Sequence, residues 1–249
     1  MKIQILSDTH TFDYELNSEA DVIVHAGDFS NNLKGCLKFD KDVKALGKIP
    51  IFVLGNHDYY GSSIKTTKRF FNENPQYNCL YPGKTIEVGG YTFVGGTLFT
   101  NFRKNKASKK DFKLNKKYAV NYVRDFEAIT KNVLMQPLEP EDMVEEFNTT
   151  LEYIQTFKGK EKTVVVTHFP PSLKCLDPYW GVHPTASVLN PYFINDLDVS
   201  GFKLWISGHT HTAVDDSDSG CRLLINPLGY PNEQLKGNGF IPQKIIELA

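Results

Sequence analysis

Val22-Ile23-Val24-His25-Ala26-Gly27-Asp28 is an apolar, β-branched run that ends on a glycine and a carboxylate. Short near-continuous runs of this kind mark strands buried on both faces, because neither face has to meet water. The pattern recurs along the chain. Lys2 to Ser7 precedes Asp8-Thr9-His10, Ile51 to Leu54 precedes Gly55-Asn56-His57-Asp58, Thr163 to Thr167 precedes His168, and Leu204 to Ser207 precedes Gly208-His209-Thr210-His211. Polar chemistry repeatedly placed at the C-terminal ends of strands predicts an α/β protein whose loops converge on one crevice.

The segments between these strands read as helices over Lys34 to Leu46 and Ile64 to Phe71, and as a hairpin in which Gly89-Gly90 joins Lys84–Val88 to Tyr91–Gly95. Two longer helices are expected over Asn115 to Lys131 and Pro140 to Phe157. In the second, Pro140 suits the first helical position, acids crowd the first turn, and Val144, Phe147, Leu151 and Ile154 repeat at helical spacing. This pair interrupts the β-rich pattern, so residues about 101–160 are expected to form a cap-like insertion within a single domain spanning 1–249, covering the site or lying beside it. The C-terminal part returns to β signals at Ala213 to Asp216, Arg222 to Asn226 and Lys244 to Glu247, with a turn at Ser217–Gly220.

The residues at the strand ends share one chemistry. Asp8, His10, Asp28, Asn56, His168, His209 and His211 offer carboxylate, imidazole and amide donors without a thiolate, a set that suits Mn²⁺, Fe²⁺ or Zn²⁺. Seven ligands are too many for one ion that keeps a position open for water, and they suit two ions about 3.5–4 Å apart sharing a carboxylate. Asp8 and His10 alternate along an extended segment and reach one metal together, and His209 and His211 at i and i+2 serve neighbouring ions. Taken alone, D-x-H is a weak signal, Gly-Asp is an ordinary turn, and a lone histidine such as His168 is more often a core or loop residue. The order of the blocks is what gives them weight.

In that order, D-x-H, G-D, G-N-H-D, an isolated histidine and G-H-x-H, the sequence resembles the calcineurin-like metallophosphoesterase superfamily over roughly 210 of its 249 residues. The resemblance implies a four-layer α/β/β/α sandwich and a two-metal hydrolase. It assigns Asp8, His10, Asp28 and His211 to one ion and Asp28, Asn56, His168 and His209 to the other, with Asp28 bridging. It implies that His57 binds no metal but faces the substrate phosphate, stabilising the transition state and protonating the leaving oxygen, with Asp58 orienting its imidazole. Mn²⁺ is the expected ion, with Fe, Zn or Ni as alternatives. The turn Asn226–Pro231 resembles one common in bacterial members and is expected to be architectural.

Composition bounds the substrate less tightly. A chain of 249 residues with 41% hydrophobic and 23% charged content can bury one substantial core. No apolar run approaches the ~18 residues of a membrane span, Met1–Gln4 leads into a strand rather than a signal peptide, and a cytoplasmic location is expected. Cys36, Cys79, Cys175 and Cys221 are scattered singly, which points to reduced structural cysteines. A net charge of −1 offers no general attraction to polyanions. Arg103, Lys104, Lys106, Lys109, Lys110, Lys113, Lys116 and Lys117 nevertheless form a local basic segment, either a solvated loop or an attractor of anionic substrate.

The first expectation is therefore a phosphodiesterase acting on a small or cyclic nucleotide. A phosphomonoesterase acting on protein or metabolite phosphate comes second, and a nuclease, favoured by the basic segment alone, third. A metal-binding scaffold without activity is the non-enzymatic alternative, and the retention of His57 beside a full ligand set argues against it. Of the two remaining histidines, His25 is expected to be packed and hydrogen-bonded, and His183, in the aromatic loop Tyr179–Pro184, to be surface structure or a substrate wall.

Overall fold

The computed structural model describes residues 1–102, 108–177 and 188–248. Arg103, Lys104 and Lys106 of the basic segment, and the aromatic loop with His183, lie outside them. The first half comprises β1 (Lys2–Leu6), β2 (Val22–His25), α1 (Lys34–Ala45), β3 (Ile49–Phe52), α2 (Ile64–Glu73), β4 (Ile86–Val88), β5 (Tyr91–Gly96), α3 (Lys109–Tyr122) and α4 (Asp125–Ala128). The second comprises α5 (Pro140–Gln155), β6 (Thr163–Thr167), α6 (Asn190–Phe193), β7 (Leu204–Ser207), β8 (Val214–Asp218), β9 (Cys221–Ile225), α7 (Pro231–Leu235) and β10 (Ile245–Glu247). No helix among the described residues is long and apolar enough to cross a membrane.

Two sheets carry the molecule: a four-stranded sheet in the order β10-β1-β2-β3 and a six-stranded sheet in the order β4-β5-β6-β7-β9-β8. The inner strands run parallel, with Ile3 opposite Val22 and Val22 opposite Ile49 in the first sheet, and Val164 opposite Leu204 in the second. Alternation along each strand sorts the apolar side chains. Ile3, Ile5, Val22, Val24, Ile51 and Val53 meet Phe93, Val164, Val166, Leu204, Ile206 and Leu224 in a core between the sheets. The opposite faces bury Leu6, Ile23 and Phe52 against the α1 side chains Cys36, Phe39 and Val43, and bury Val94, Val165 and Trp205 on the far side of the second sheet. Apolar residues facing both ways on every inner strand make an α/β/β/α sandwich, in agreement with the expectation. The outer strand β8 (Val-Asp-Asp-Ser-Asp) is polar, and Asp215 pairs with Arg222 on β9, so the exposed edge is unsuited to pairing with another chain.

The insertion differs from its sequence reading. Rather than one helix from Asn115 to Lys131, α3 starts at Lys109, where the Ser108 hydroxyl accepts the Asp111 backbone N–H at 3.2 Å, and ends at an extended Val123 before the short α4. The capping serine sets the start. The break follows from tertiary demand, since Asp125 at the first position of α4 turns inward and is buried. The two expected helices also part company. α3 and α4 reach the site, whereas α5 buries Met143, Phe147, Thr150 and Ile154 as an outer-layer helix, and Thr150 lies beside Gly96 of β5. The Ser217–Gly220 turn is shorter than expected, because β8 runs on through Asp218 and only Ser219 and Gly220 turn.

Candidate metal centre

Each block sits just beyond a strand: Asp8 after β1, Asp28 after β2, Asn56 after β3, His168 after β6 and His209 after β7. Turning sharply there demands unusual backbone. Asp8, His10, Asp28, His209 and His211 all have positive φ, at 54°, 47°, 60°, 72° and 53°. For non-glycine residues this region costs roughly 1–3 kcal/mol each and persists only where the surroundings enforce it. Backbone bonds do so: Asp8 N–H donates to the Gly27 carbonyl at 2.9 Å, and His10 N–H to the Asp28 carbonyl at 3.1 Å. Gly27 and Gly55 allow the loops to touch. A Cβ on Gly55 would lie 2.0 Å from Asp28 Oδ1, and one on Gly27, at φ +91°, would lie 2.8 Å from His168 Nδ1.

The seven expected ligands converge. Asp8, His10, Asp28 and His211 form one group with donor atoms within 4.8 Å of one another, and Asp28, His168 and His209 form a second. Asp28 belongs to both. Asn56 joins the second group, its Oδ1 3.0 Å from His168 Nε2, which itself lies 3.4 Å from Asp28 Oδ2. In the first group His10 Nε2 lies 3.0 Å from His211 Nε2, and His211 Nε2 3.4 Å from Asp8 Oδ1.

Electrostatics and unmet bonding both suit cations here. Burial opposes charge on His168, yet Asp28 and Asp8 push it up to about 9; burial likewise opposes charge on His211, which Asp8 and Glu233 push up to about 10. Burial instead drives His10 down to about 4 and His209 well below the ordinary range. Asp28 stays well below the usual carboxylate range despite its burial, because His168, His57 and His10 surround it. Among the described residues the buried His209 Nε2 has no hydrogen-bond partner. An orphaned imidazole nitrogen, aimed with other imidazoles at two buried carboxylates, fits a pair of divalent ions.

Partners outside the ligand set aim the rings. His168 Nδ1 donates to the Ala26 carbonyl at 2.7 Å and His211 Nδ1 to Glu233 Oε2 at 2.7 Å, so each turns Nε2 to the cluster. Asn56 Nδ2 donates to Asp125 Oδ1 at 3.0 Å. Sequence reasoning missed both acids. Glu233 lies three residues after Tyr230, just past a turn read as architectural, and Asp125 lies within an expected continuous helix.

His57 stands beside the cluster, Nε2 3.9 Å from Asp28 Oδ2, with its ring stacked on Tyr60 at 4.4 Å. Its expected orienting partner is not Asp58. That carboxylate accepts the backbone N–H groups of Asp28, Phe29, Ser30 and Gly55 at 2.9–3.2 Å, and so ties the β2 and β3 loops together. Burial and Asp28 push its carboxyl up, against those backbone donors. Four local backbone donors outcompete a neighbouring side chain, and the His57 Nδ1–H is left to donate to Asn31 Oδ1 at 2.8 Å. His25 is buried as expected, with Nε2 3.2 Å from the Thr9 hydroxyl and its ring stacked on Phe29 at 3.7 Å.

A cavity of ≈ 880 Å³ opens from the cluster, walled by Tyr60, Tyr118, Tyr122, Tyr192, Phe193 and Tyr230, with Arg124 at its side. Arg124 sits 5.7 Å over the Tyr60 ring and forms no ion pair among the described residues. Lys109, Lys110, Lys113 and Lys117 are exposed and do not line the cavity, and Lys116 pairs with Glu141.

The family model for calcineurin-like phosphoesterases matches residues 1–213. A solved phosphopantetheinyl hydrolase from Mycobacterium tuberculosis shares the fold, with a TM-score of 0.68 at 17% identity over 94% of this chain and 92% of that one. A candidate 5'-nucleotidase from Staphylococcus aureus, solved with alpha-ketoglutarate, aligns with a TM-score of 0.44 at 12% identity over 90% of this chain and 48% of that one. No curated protein matches the chain significantly.

Proposed function

Since the chain belongs to the calcineurin-like phosphoesterase family, we propose that this metal-dependent phosphoester hydrolase acts on a phosphodiester of a small or cyclic nucleotide. The observation that carries the reading is the aromatic cavity that opens directly from the ligand cluster. Tyrosine and phenylalanine walls offer flat apolar faces to a planar base, and a cavity of this size suits a ligand of nucleotide dimensions.

In this reading Asp8, His10 and His211 would hold one divalent ion and Asn56, His168 and His209 the other, with Asp28 within reach of both. Mn²⁺ is the first choice for a carboxylate, imidazole and amide set. When bound, the ions supply the positive charge that activates a water and neutralises the transferring phosphoryl group. His57 carries the proton for the leaving oxygen on Nε2, since Nδ1–H is committed to Asn31, and stacking on Tyr60 holds the ring in place. The single domain, with its insertion contributing α3 and α4 to the cavity wall, holds the leaving group beside that histidine. Four free buried cysteines suit a reducing, cytoplasmic setting.

The nuclease alternative depends on the basic segment, and its described lysines lie off the cavity wall. Mn²⁺-loaded protein assayed against a cyclic nucleotide, a linear diester, a monoester and single-stranded nucleic acid tests the proposal. The expected result is the highest kcat/KM on the cyclic or small diester. Higher kcat/KM on the monoester, or on nucleic acid, overturns the substrate reading.

A further inference from the structure

Asp125 comes from the insertion, not from any of the strand-end blocks, yet it is buried against the site at 1% exposure. Its carboxylate gathers three donors, two from the turn that follows β3 and one from α6. Oδ1 accepts Asn56 Nδ2 at 3.0 Å and the Tyr60 hydroxyl at 2.7 Å, and Oδ2 accepts the Tyr192 hydroxyl of α6. A primary amide has two faces, a donor and an acceptor, and nothing intrinsic decides which one meets the cluster. A carboxylate already receiving two hydroxyl donors can only accept a third bond, so the Asn56 nitrogen must face Asp125. The opposite atom, Oδ1, then points into the cluster, 3.0 Å from His168 Nε2.

We propose that Asp125 is a positioning residue of the inserted helices, which fixes the Asn56 amide with its oxygen toward the metal cluster and so completes the half of the site built from Asn56, His168 and His209. The inference rests on the ligand assignment given above. It makes the insertion more than a cavity wall, because the same carboxylate ties down Tyr60, on whose ring His57 stacks. The other half of the cluster contains no contact with Asp125 among the described residues: Asp8 and His10 follow β1, and His211 is aimed by Glu233.

The test is titration of the metal-free protein with Mn²⁺ by calorimetry, alongside the count of bound ions per chain. Asp125→Ala should weaken one of the two binding steps about 10- to 100-fold, as loss of a partner that orients a ligand does, and leave the other within about threefold. Asp125→Asn, nearly the same shape and still able to present an acceptor oxygen, should keep the fold and lose less. Because Asp125 acts through Asn56, adding Asp125→Ala to Asn56→Ala should change the already weakened step by less than about twofold. Equal weakening of both steps, undiminished weakening in the Asn56→Ala background, or no change in either step overturns the role. Absence of Mn²⁺ binding by the unaltered protein overturns the ligand assignment itself, and the Asp125 role with it.

Discussion

His211 and His168 hold corresponding places in the two halves of the cluster, and they are held there differently. His211 turns Nδ1 to a carboxylate, Glu233, and its side chain is 15% exposed toward the cavity. His168 turns Nδ1 to a backbone carbonyl, that of Ala26, and is 0% exposed. Both halves open on the cavity, the first through His211 and the second through Asn56 and His209; the first is supported by a charge on α7, the second by the main chain and by a carboxylate from the insertion.

The carboxylate common to both halves, Asp28, provides the largest expected effect. Asp28→Asn removes a charged bridging ligand from both halves at once, so both ions and nearly all turnover should be lost; two ions per chain and normal activity in that variant would show that the halves do not meet at Asp28. His57→Ala should spare both halves equally. Metal content should be unchanged while turnover falls roughly 10²–10⁴-fold, the usual range for a general acid, with a smaller loss on a nitrophenyl ester whose leaving group needs no proton. Loss of metal together with activity would make His57 a ligand.

Glu233→Gln separates the halves. It removes the charge behind His211 and should weaken one Mn²⁺ step about 10- to 100-fold while sparing the other. If both steps fall together, the two halves are not independently supported.

The raised pKa values of His168 and His211 give a smaller effect, visible with pH. At about 9 and 10, both rings are protonated near neutrality in the metal-free protein, and a metal ligand must be neutral. Binding must therefore release protons, and Mn²⁺ affinity should rise as pH climbs from neutrality toward those values. In the metal-free protein the sign is opposite. A raised pKa contributes stability that is fully present below the ordinary histidine value and is lost as pH rises through 9 to 10. The gain in Tm on adding Mn²⁺ should grow with pH over that window, and a gain that does not vary with pH would contradict these charge states.

The smallest effect belongs to α3. Lys109, Lys110 and Lys113 are exposed and outside the cavity wall. Reversing all three to Glu should raise KM for a multiply charged substrate by no more than about threefold through long-range attraction, and leave a small singly charged diester unchanged. Equal effects on both substrates, or none on either, would reduce the segment to solvated surface.

What was legible in the sequence follows the same division. The strand-end ligands could be read because each needs a buried apolar run before it and a glycine or tight turn around it, and both leave local marks, as at Val22–Asp28. The supports could not, because Asp125 and Glu233 owe their roles to groups far away in the chain. Asp125 meets Asn56 across 69 positions and Tyr192 across 67. The start of α3 did carry a local signal, Ser108 three residues before Asp111, whereas its end at Val123 carried none, being set by the pull of Asp125 toward the site. Asp58 shows the converse error. The family resemblance suggested contact with the His57 ring, and four backbone N–H groups claimed the carboxylate instead.

The ligand assignment turns on whether two divalent ions share Asp28. Anomalous diffraction from crystals of the full chain grown with Mn²⁺ tests it most directly. Two peaks are expected about 3.5–4 Å apart on either side of the Asp28 carboxylate, one among Asp8, His10 and His211 and the other among Asn56, His168 and His209. A single peak, or peaks away from Asp28, would contradict it.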